Sequence, residues 1–314
     1  MAQERETGSP QAPLAATPPP AAGDGNGGPS RPRRRLFGIV LFLPAFVVIW
    51  EAAKWLAGDP WRLGAIGYEH HPPFRLLQLS DRHLPHLWDI FGAFFRPFQR
   101  NADYNLGQYL FDQAVYTGQE AAIGFALGGV IGIVLASVFV HSGLLERAFV
   151  PYVVASQTVP IVALAPLIVV GFGRGLTSVV IIATYLTFFP VTIAVMRGLR
   201  SPDPRAVELM RSYAASKWEV YLKVRLPASV PYLFSALKIA AAASVVGTII
   251  GEGPGGVPYG LGRAILNFNQ QYITGPEKLW ATIMVAALVG IAFFVLVRLA
   301  EVAVLRRRGL AAAT

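Results

Sequence analysis

Residues 208–227 read ELMRSYAASKWEVYLKVRLP, a polar, basic run between two stretches apolar enough to live in lipid, 176–196 (LTSVVIIATYLTFFPVTIAVM) and 228–250 (ASVPYLFSALKIAAAASVVGTII). Just upstream, Asp203 is placed to cap a helix whose first residue is Pro204, where a missing N–H is harmless. Helical spacing then predicts Val207, Met210 and Ala214 on one side with Leu209 and Tyr213 beside them, while Arg205, Glu208 and Arg211 (or Ser212) face away. Ser216 and Glu219 form an S-x-x-E capping box, which signals a second helix from Trp218. Pro227 ends that unit or opens the next span. The expected device is a short amphipathic helix, a break near Ala214 to Ser216, and a second helix rooted in the membrane. Resting on headgroups would favour a polar face of Lys and Arg alone. Glu208 interrupts that face and the loop is tied between spans, so a cytoplasmic protein partner is the favoured reading.

The surrounding composition is that of a membrane protein. Of 314 residues, 54% are hydrophobic and 14% charged, and the mean hydropathy is +0.48, which argues against a water-soluble core. The absence of cysteine excludes disulfides, thiol catalysis and Cys-based metal sites. Residues 1–35 are rich in Pro, Gly and Ala, carry too little apolar side chain to offset the entropy of ordering, and read as a disordered cytoplasmic tail. The apolar run LFGIVLFLPAFVVIW (36–50) follows Arg31, Arg33, Arg34 and Arg35. A signal peptide would look similar, but no A-x-A-like site follows and more spans come later. Residues 36–57 are therefore expected to be a first transmembrane helix, with Glu51 and Lys54 as an i, i+3 pair near its end.

Five more segments are long enough for a bilayer core, which needs about 20 apolar residues per helix: 114–140, 149–172, 176–196, 228–250 and 279–305. Six spans put both termini on one side. With the N-terminus in the cytoplasm, 16 Lys/Arg lie inside, 8 outside and 3 within spans, and 7 acids inside against 8 outside leave the whole net charge of +9 on the inner face. The pI near 10 is then a topology signal, not a nucleic-acid footprint. The expected layout is a tail (1–35), a first span (36–57), an extracytoplasmic loop (58–113), a core of five spans (114–306) carrying the polar loop at about 203–227, and a short cytoplasmic tail (307–314). The fold class is an all-α polytopic bundle of six transmembrane helices in the inner membrane.

Within the spans, Gly124, Gly128 and Gly132 form a G-x-x-x-G repeat that lets another helix approach closely. Pro151, Pro160 and Pro166 interrupt the third span, and broken helices are tolerated where neighbours or water satisfy the freed carbonyls. Gln157 and Thr158, between two of these breaks, are candidates for a solute pathway or for a hydrogen bond between packed helices. Intramembrane charge is costly and usually faces the bundle. Arg298 and Glu301 are spaced as a structural pair. Lys238 either lines a pathway or snorkels to the inner interface, and Glu252, in GEGPGG, is a gate candidate or a helix cap. In the outer loop, His70, His71, His83 and His86 with Glu69 and Asp81 offer metal-ligand chemistry but no regular spacing, so no metal site is expected. Its aromatics (Trp61, Tyr68, Phe74, Trp88, Phe91, Phe94, Phe95) suit contact with the outer leaflet.

The opening run resembles the "EAA" loop of permease subunits of ABC importers, in which EAA, then Gly, then I-x-L-P follow at fixed spacing. Glu208 stands at the acidic position, Ala214 at the Gly position, Val224 at the Ile position, and Leu226-Pro227 closes the motif. The segments ASKW (215–218), LPASVPYLFSALKIA (226–240), SQTVPIVALAPLIVVGFGRG (156–175) and GEGPGGVPYGLGRAI (251–265) are similar to the branch serving nitrate, sulfonate, taurine and related solutes. The resemblance covers about residues 110–305. Two departures stand out: Leu209 and Met210 replace the paired alanines, and Ala214 replaces the glycine. A left-handed Ala214 would cost about 1–2 kcal/mol, so the expectation is a helical turn there with the break postponed to Ser216.

The resemblance implies a type I importer permease whose short loop helix docks into a groove of a cytoplasmic ATPase, with Arg205, Glu208, Arg211, Ser212, Ala214, Ser216, Leu226 and Pro227 in the coupling unit. It further implies a homodimer, two ATPases using ATP and Mg, an extracytoplasmic solute-binding protein, and alternating access. The chain has no G-x-x-x-x-G-K-[ST] loop and no Gly-Lys dipeptide, so it is expected to be a transport subunit without ATPase activity or a bound cofactor. YITGPEKLWATIMVAALVGIAFF (272–294) and VASQTVPI (154–161) are most similar to permeases for riboflavin or pyrimidine thiamine precursors. Tyr152, Tyr185, Phe188 and Phe189 would suit an aromatic heterocycle. Two other classes stay open: an integral membrane enzyme, which needs a convergent site not seen in the spans, and an ion-coupled carrier, which needs mid-membrane carboxylates and two-half symmetry.

Overall fold

The computed structural model describes residues 31–63, 68–74, 76–99 and 102–307; most of the expected N-terminal tail and all but the first residue of the C-terminal one lie outside them. Helix α1 (Arg31–Ala57) starts five residues before the expected Leu36. Residues as far as Trp50 form one unit and Glu51 onward a second. In the first, Phe42, Phe46 and Trp50 follow one another along the helix, with ring centroids 6.4 and 5.5 Å apart, and Phe42, Phe46, Val47, Val48 and Ile49 are exposed.

The second unit begins with the end of α1 and a small module of short elements. A three-residue hairpin pairs β1 (Trp61–Leu63) with β2 (Tyr68–His70), and after a 3-10 turn at Leu77–Leu79 comes α2 (Leu87–Ala93). The expected Glu51–Lys54 pair does not form. The fully buried Lys54 ammonium instead meets Asp81 at 2.5 Å and the Leu84 carbonyl at 2.6 Å. Glu51 accepts from the Leu87 N–H at 3.0 Å and pairs with His86 at 2.7 Å. A desolvated charge takes the partner that satisfies it best, and both partners lie in the folded-back loop. His86 and Asp81 are thereby taken up structurally, and among the described residues no group of three or more His, Asp or Glu is placed to hold a metal.

The bundle consists of α3 (Leu106–His141), α4 (Gly143–Ser156), α5 (Ile161–Phe172), α6 (Leu176–Leu199), α7 (Pro204–Ser212), α8 (Lys217–Val220), α9 (Leu226–Gly255), α10 (Leu261–Gln270) and α11 (Pro276–Arg307). Among the described residues four helices are long and apolar enough to cross a membrane: α3, α6, α9 with its lead-in from Lys217, and α11. Helices α4 and α5 form a broken pair bent by 104°. Pro151 and Pro166 sit inside those helices and the single break falls at Pro160, the N-cap of α5. Helix α3 begins at Leu106, eight residues earlier than expected, because Asn105 and Gln108 close a reciprocal capping box.

Helix α6 lies between α3 and α9, its two most extensive neighbours. The glycine stripe of α3 makes the first contact possible: a Cβ on Gly128 would lie 2.5 Å from Thr187 Cβ and one on Gly132 2.8 Å from the Phe188 carbonyl. On the other side, a Cβ on Gly247 of α9 would fall 2.9 Å from Ala183 Cα. Larger residues close the two ends. One cluster holds Phe139, Val195, Leu199, Tyr221 and Ala240, the other Ile90, Leu110, Leu261, Phe268 and Ala281. Helices α9 and α11 are tied by Lys238, whose ammonium lies 2.7 and 3.0 Å from the Glu301 carboxylate. Glu301 thus takes Lys238 rather than the expected Arg298.

Candidate functional site

At the end of α6 the chain leaves the bundle and returns through a loop built from three caps. Asp203 accepts the Arg205 N–H at 2.9 Å, with Pro204 as the first residue of α7. At the other end of α7, the Ala214 N–H bonds the Arg211 carbonyl at 2.9 Å and the Ala215 N–H the Met210 carbonyl at 3.0 Å. That crossed pair is a Schellman closure, and it requires its central residue to be left-handed. Ala214 meets the requirement with φ 55°, the one positive φ outside glycine among the described residues. The expected helical turn at Ala214 is therefore corrected. The hydrogen bonds that satisfy the last carbonyls of α7 outweigh the Cβ penalty. Ser216 and Glu219 then close the predicted capping box, Ser216 N–H to Glu219 at 2.9 Å and Glu219 N–H to Ser216 Oγ at 3.2 Å, and α8 starts at Lys217. A π turn over Tyr221–Arg225 carries the helix into α9 with Pro227 in its first turn.

No residue of α7 is buried. Of the side formed by Val207, Met210 and Ala214, the first two are half-buried and Ala214 is exposed, while Leu209 and Tyr213, placed beside them by the sequence, are 58% and 79% exposed. They lie at i, i+4, one turn apart on the open face. Glu208 and Arg211, expected to face away, are exposed, and they border recesses between α7 and the bundle. Arg205 and Ser212 are exposed, and the Ser212 hydroxyl donates to the Leu209 carbonyl at 2.7 Å. Leu226 is half-buried against the Phe139–Tyr221 cluster.

At the opposite end of α9 a second arrangement surrounds Glu252, which is fully buried. One oxygen accepts the Thr117 hydroxyl at 2.5 Å and the other the Gly262 N–H. Thr117 in turn accepts the Leu261 N–H at 2.8 Å, and Gln113 accepts the Gly260 N–H at 2.7 Å. Three side chains from α3 and α9 thus satisfy three of the free amides at the N-terminus of α10, and the carboxylate sits where a helix N-terminus favours negative charge. Gly260 has φ 110°, and a side chain there would run into the Glu252 carboxyl. Of the two sequence readings of Glu252, capping is the one the contacts display. Nothing local in the sequence marks Gln113 and Thr117. One turn below, Glu120 is 2% exposed, and among the described residues neither of its oxygens has a hydrogen-bond partner.

The pathway candidates separate. Gln157 caps the C-terminus of α4 at the 104° break, and among the described residues its buried amide nitrogen has no partner. Thr158 is exposed, with its hydroxyl on the Ala155 carbonyl at 2.7 Å. The Tyr185 hydroxyl bonds the Ser156 carbonyl beside them. Lys238 is held in its ion pair with Glu301.

Several spans closely packed through glycine, one broken helix pair and an exposed helix capped at both ends between two spans define a transport permease. The chain belongs to the family of binding-protein-dependent transport system inner membrane components, whose pattern fits residues 128–308. It is 34% identical over 183 residues to the formylaminopyrimidine transport permease protein ThiX of Halalkalibacterium halodurans, covering 57% of this chain and 71% of that one. It is also 34% identical over 161 residues to the riboflavin transport system permease protein RibX of Chloroflexus aurantiacus, covering 51% and 59%. To the putative aliphatic sulfonates transport permease protein SsuC of Bacillus subtilis it is 30% identical over 190 residues, covering 60% and 67%. Among solved structures, an amino acid ABC transporter with histidines superposes with a TM-score of 0.52 at 16% identity, over 62% of this chain and 94% of that one, a likeness of fold.

Proposed function

We propose that this chain is the membrane-spanning half-channel of an ATP-driven importer, working as a homodimer with two cytoplasmic ATPases and an extracytoplasmic binding protein. Both termini and α7 face the cytoplasm, in keeping with the Lys/Arg bias of the segments on that side. The observation that carries the reading is α7 itself: a helix with no buried residue, fixed at both ends by caps, holding Leu209 and Tyr213 out of the bundle. Exposed apolar side chains on a rigid mount are what a groove in a partner would bury. Arg205 and Ser212 flank that face, while Ala214, Ser216, Leu226 and Pro227 form its mount.

Transport would follow alternating access: closure of the ATPases on ATP and Mg displaces the paired α7 helices, and the spans rearrange around a central path. Gln157 and Thr158 at the break between α4 and α5 are the pathway residues we favour, since Gln157 has a buried donor without a partner. The solute is proposed to be a riboflavin-like or pyrimidine heterocycle, by likeness to the two relatives at 34% identity. Nitrate, sulfonate or taurine-like solutes are the alternatives, and the ligand of the cognate binding protein decides among them.

Because the chain has no cysteine, single cysteines at Leu209 and Ser212 can be paired with cysteines in a co-expressed ATPase. A crosslink in a transport-competent complex is the expected result. Its absence across a scan of the ATPase groove, with transport intact, would refute the docking role.

A further inference from the structure

The bundle side of the coupling loop carries a concentration of positive charge apart from the exposed Leu209 and Tyr213. The Schellman turn at Ala214 and the capped start of α8 bring Arg211, Lys217 and Arg225 around the C-terminal end of α3. With Val140 and His141 they line a recess of about 210 Å³. No carboxylate lines it. A second recess, of about 260 Å³, lies toward the end of α6 between Arg200 and Glu208, and Arg211 and Arg225 stand in the wall common to both.

The nearby acids are largely committed elsewhere. Glu219 is held by Ser216 and by Lys223 at 3.2 Å, and Glu146 by Arg200. Glu208 borders the second recess alone. Among the described residues Arg211, Lys217 and Arg225 form no ion pair. His141 is fixed in place: its Nδ1–H donates to the Ser137 carbonyl at 2.7 Å, and its ring lies 4.9 Å from Tyr221 and 5.7 Å from Trp218. Bonding through Nδ1 leaves Nε2 as the nitrogen still available. Tyr221 is itself anchored on Ser137 Oγ at 2.7 Å.

Three like charges held around one concavity by capped turns repel one another unless an anion joins them. Two arginines offer planar forks and a lysine a point charge, a donor set matched to the oxygens of a phosphate group. The wall of Val140 and Val220 beside those donors suits a phosphate that continues into something less polar. We propose that this recess is an anion site for a phosphate-class group, supplied by the headgroup of an anionic lipid or by a free phosphate, and that its occupant ties the coupling turn to the end of α3. The cytoplasmic placement rests on the orientation proposed above; the charge constellation does not.

The test uses the permease copurified with its ATPase in phosphatidylcholine nanodiscs, with and without phosphatidylglycerol. Native mass spectrometry reads retained phosphatidylglycerol, and calorimetry in the pure phosphatidylcholine discs reads inorganic phosphate. Saturable phosphatidylglycerol retention assigns a lipid headgroup, and phosphate binding without it assigns a free anion. Lys217→Gln with Arg225→Gln is expected to weaken whichever binds by roughly 25-fold, on the order of fivefold per charge removed. Lys217→Arg with Arg225→Lys should stay within about threefold of wild type on the same charge argument. Neither ligand binding to wild type, or equal affinity in the neutralised variant, overturns the proposal. Should the neutralised variant fail to assemble, a salt titration of wild type decides: binding that does not weaken with ionic strength overturns it. Failure of the α7 crosslink would leave all these readouts untouched, so the two ideas fall separately.

Discussion

Replacing Ala214 by glycine should stabilise the loop that carries α7. Ala214 sits at φ 55°, where a Cβ crowds the following carbonyl at a cost of about 1–2 kcal/mol. Glycine removes that strain but gains conformational freedom in the open state, which takes back about 0.5–1 kcal/mol. The net expectation is a gain of about 0.5–1 kcal/mol, localised to the α7 cap. The assay follows from the two bonds that define the cap, Ala214 N–H to Arg211 and Ala215 N–H to Met210. Hydrogen exchange at positions 214 and 215 reports the opening of that cap, and the gain should slow it about two- to fivefold. Ala215→Gly is the control. Its φ is not positive, so glycine there adds freedom without relieving strain and should speed exchange. Ala214→Val should speed it as well, since a β-branched residue fits the left-handed region worse still. Exchange that is unchanged or faster in Ala214→Gly, with α7 intact, would refute the strained-cap reasoning.

Three further perturbations probe the rest of the bundle. Glu252→Ala leaves the Thr117 hydroxyl and the Gly262 N–H unmet in a buried site, so a loss of about 2–4 kcal/mol is expected from the two orphaned groups, seen as lower thermal stability and faster exchange in α10. Gly128→Ala places a methyl 2.5 Å from Thr187 Cβ and 2.8 Å from the Thr184 carbonyl; overpacking of about 1–3 kcal/mol should lower the melting temperature, whereas Gly290→Ala, with nothing within 4 Å, should not. Lys238→Met alone strands Glu301 in a largely buried position and should destabilise by about 3 kcal/mol, while Lys238→Met with Glu301→Leu should recover most of that in a double-mutant cycle. A single variant no worse than the double would show that the pair contributes nothing.

What could be read before folding was local. Asp203 before Pro204, and Ser216 three residues before Glu219, act through hydrogen bonds within one turn, so their meaning does not depend on the rest of the chain. The apolar spans were visible for the same reason, as was the glycine spacing on α3. What the sequence hid depends on partners far along the chain. Lys54 and Glu51 are well spaced for each other, yet their partners lie 27 to 36 residues away. Arg298 loses Glu301 to Lys238, 63 residues earlier. Gln113 and Thr117 acquire a role only because α10 begins 144 to 147 residues later against the same face of α3. Ala214 is the instructive case. Propensity argued against a left-handed alanine, but propensity weighs one residue, whereas the closure satisfies two carbonyls at once.

The two ends of α9 carry opposite kinds of termination, and that contrast bears on how motion would pass through the chain. At the Glu252 end, buried side chains meet the amides of α10, so separating α10 from α3 exposes several polar groups in an apolar setting and has to happen together. At the other end, no residue of α7 is buried, and only Val207 and Met210 are half-buried. Between them α3, α6 and α9 approach to backbone distance at Gly128, Gly132 and Gly247, which leaves little room for sliding. On the function proposed above, a displacement applied to α7 would be carried by those three helices as a body. It would be absorbed where regular helical bonding is already interrupted: the π turn at Tyr221–Arg225 and the break at Pro160. Stiffening the π turn, for example by deleting one of its residues to restore α-helical spacing, should leave ATP hydrolysis by the partner in place and lower the transport that accompanies it. Transport that stays in proportion to hydrolysis in such a variant would show that the turn is not where the motion is taken up.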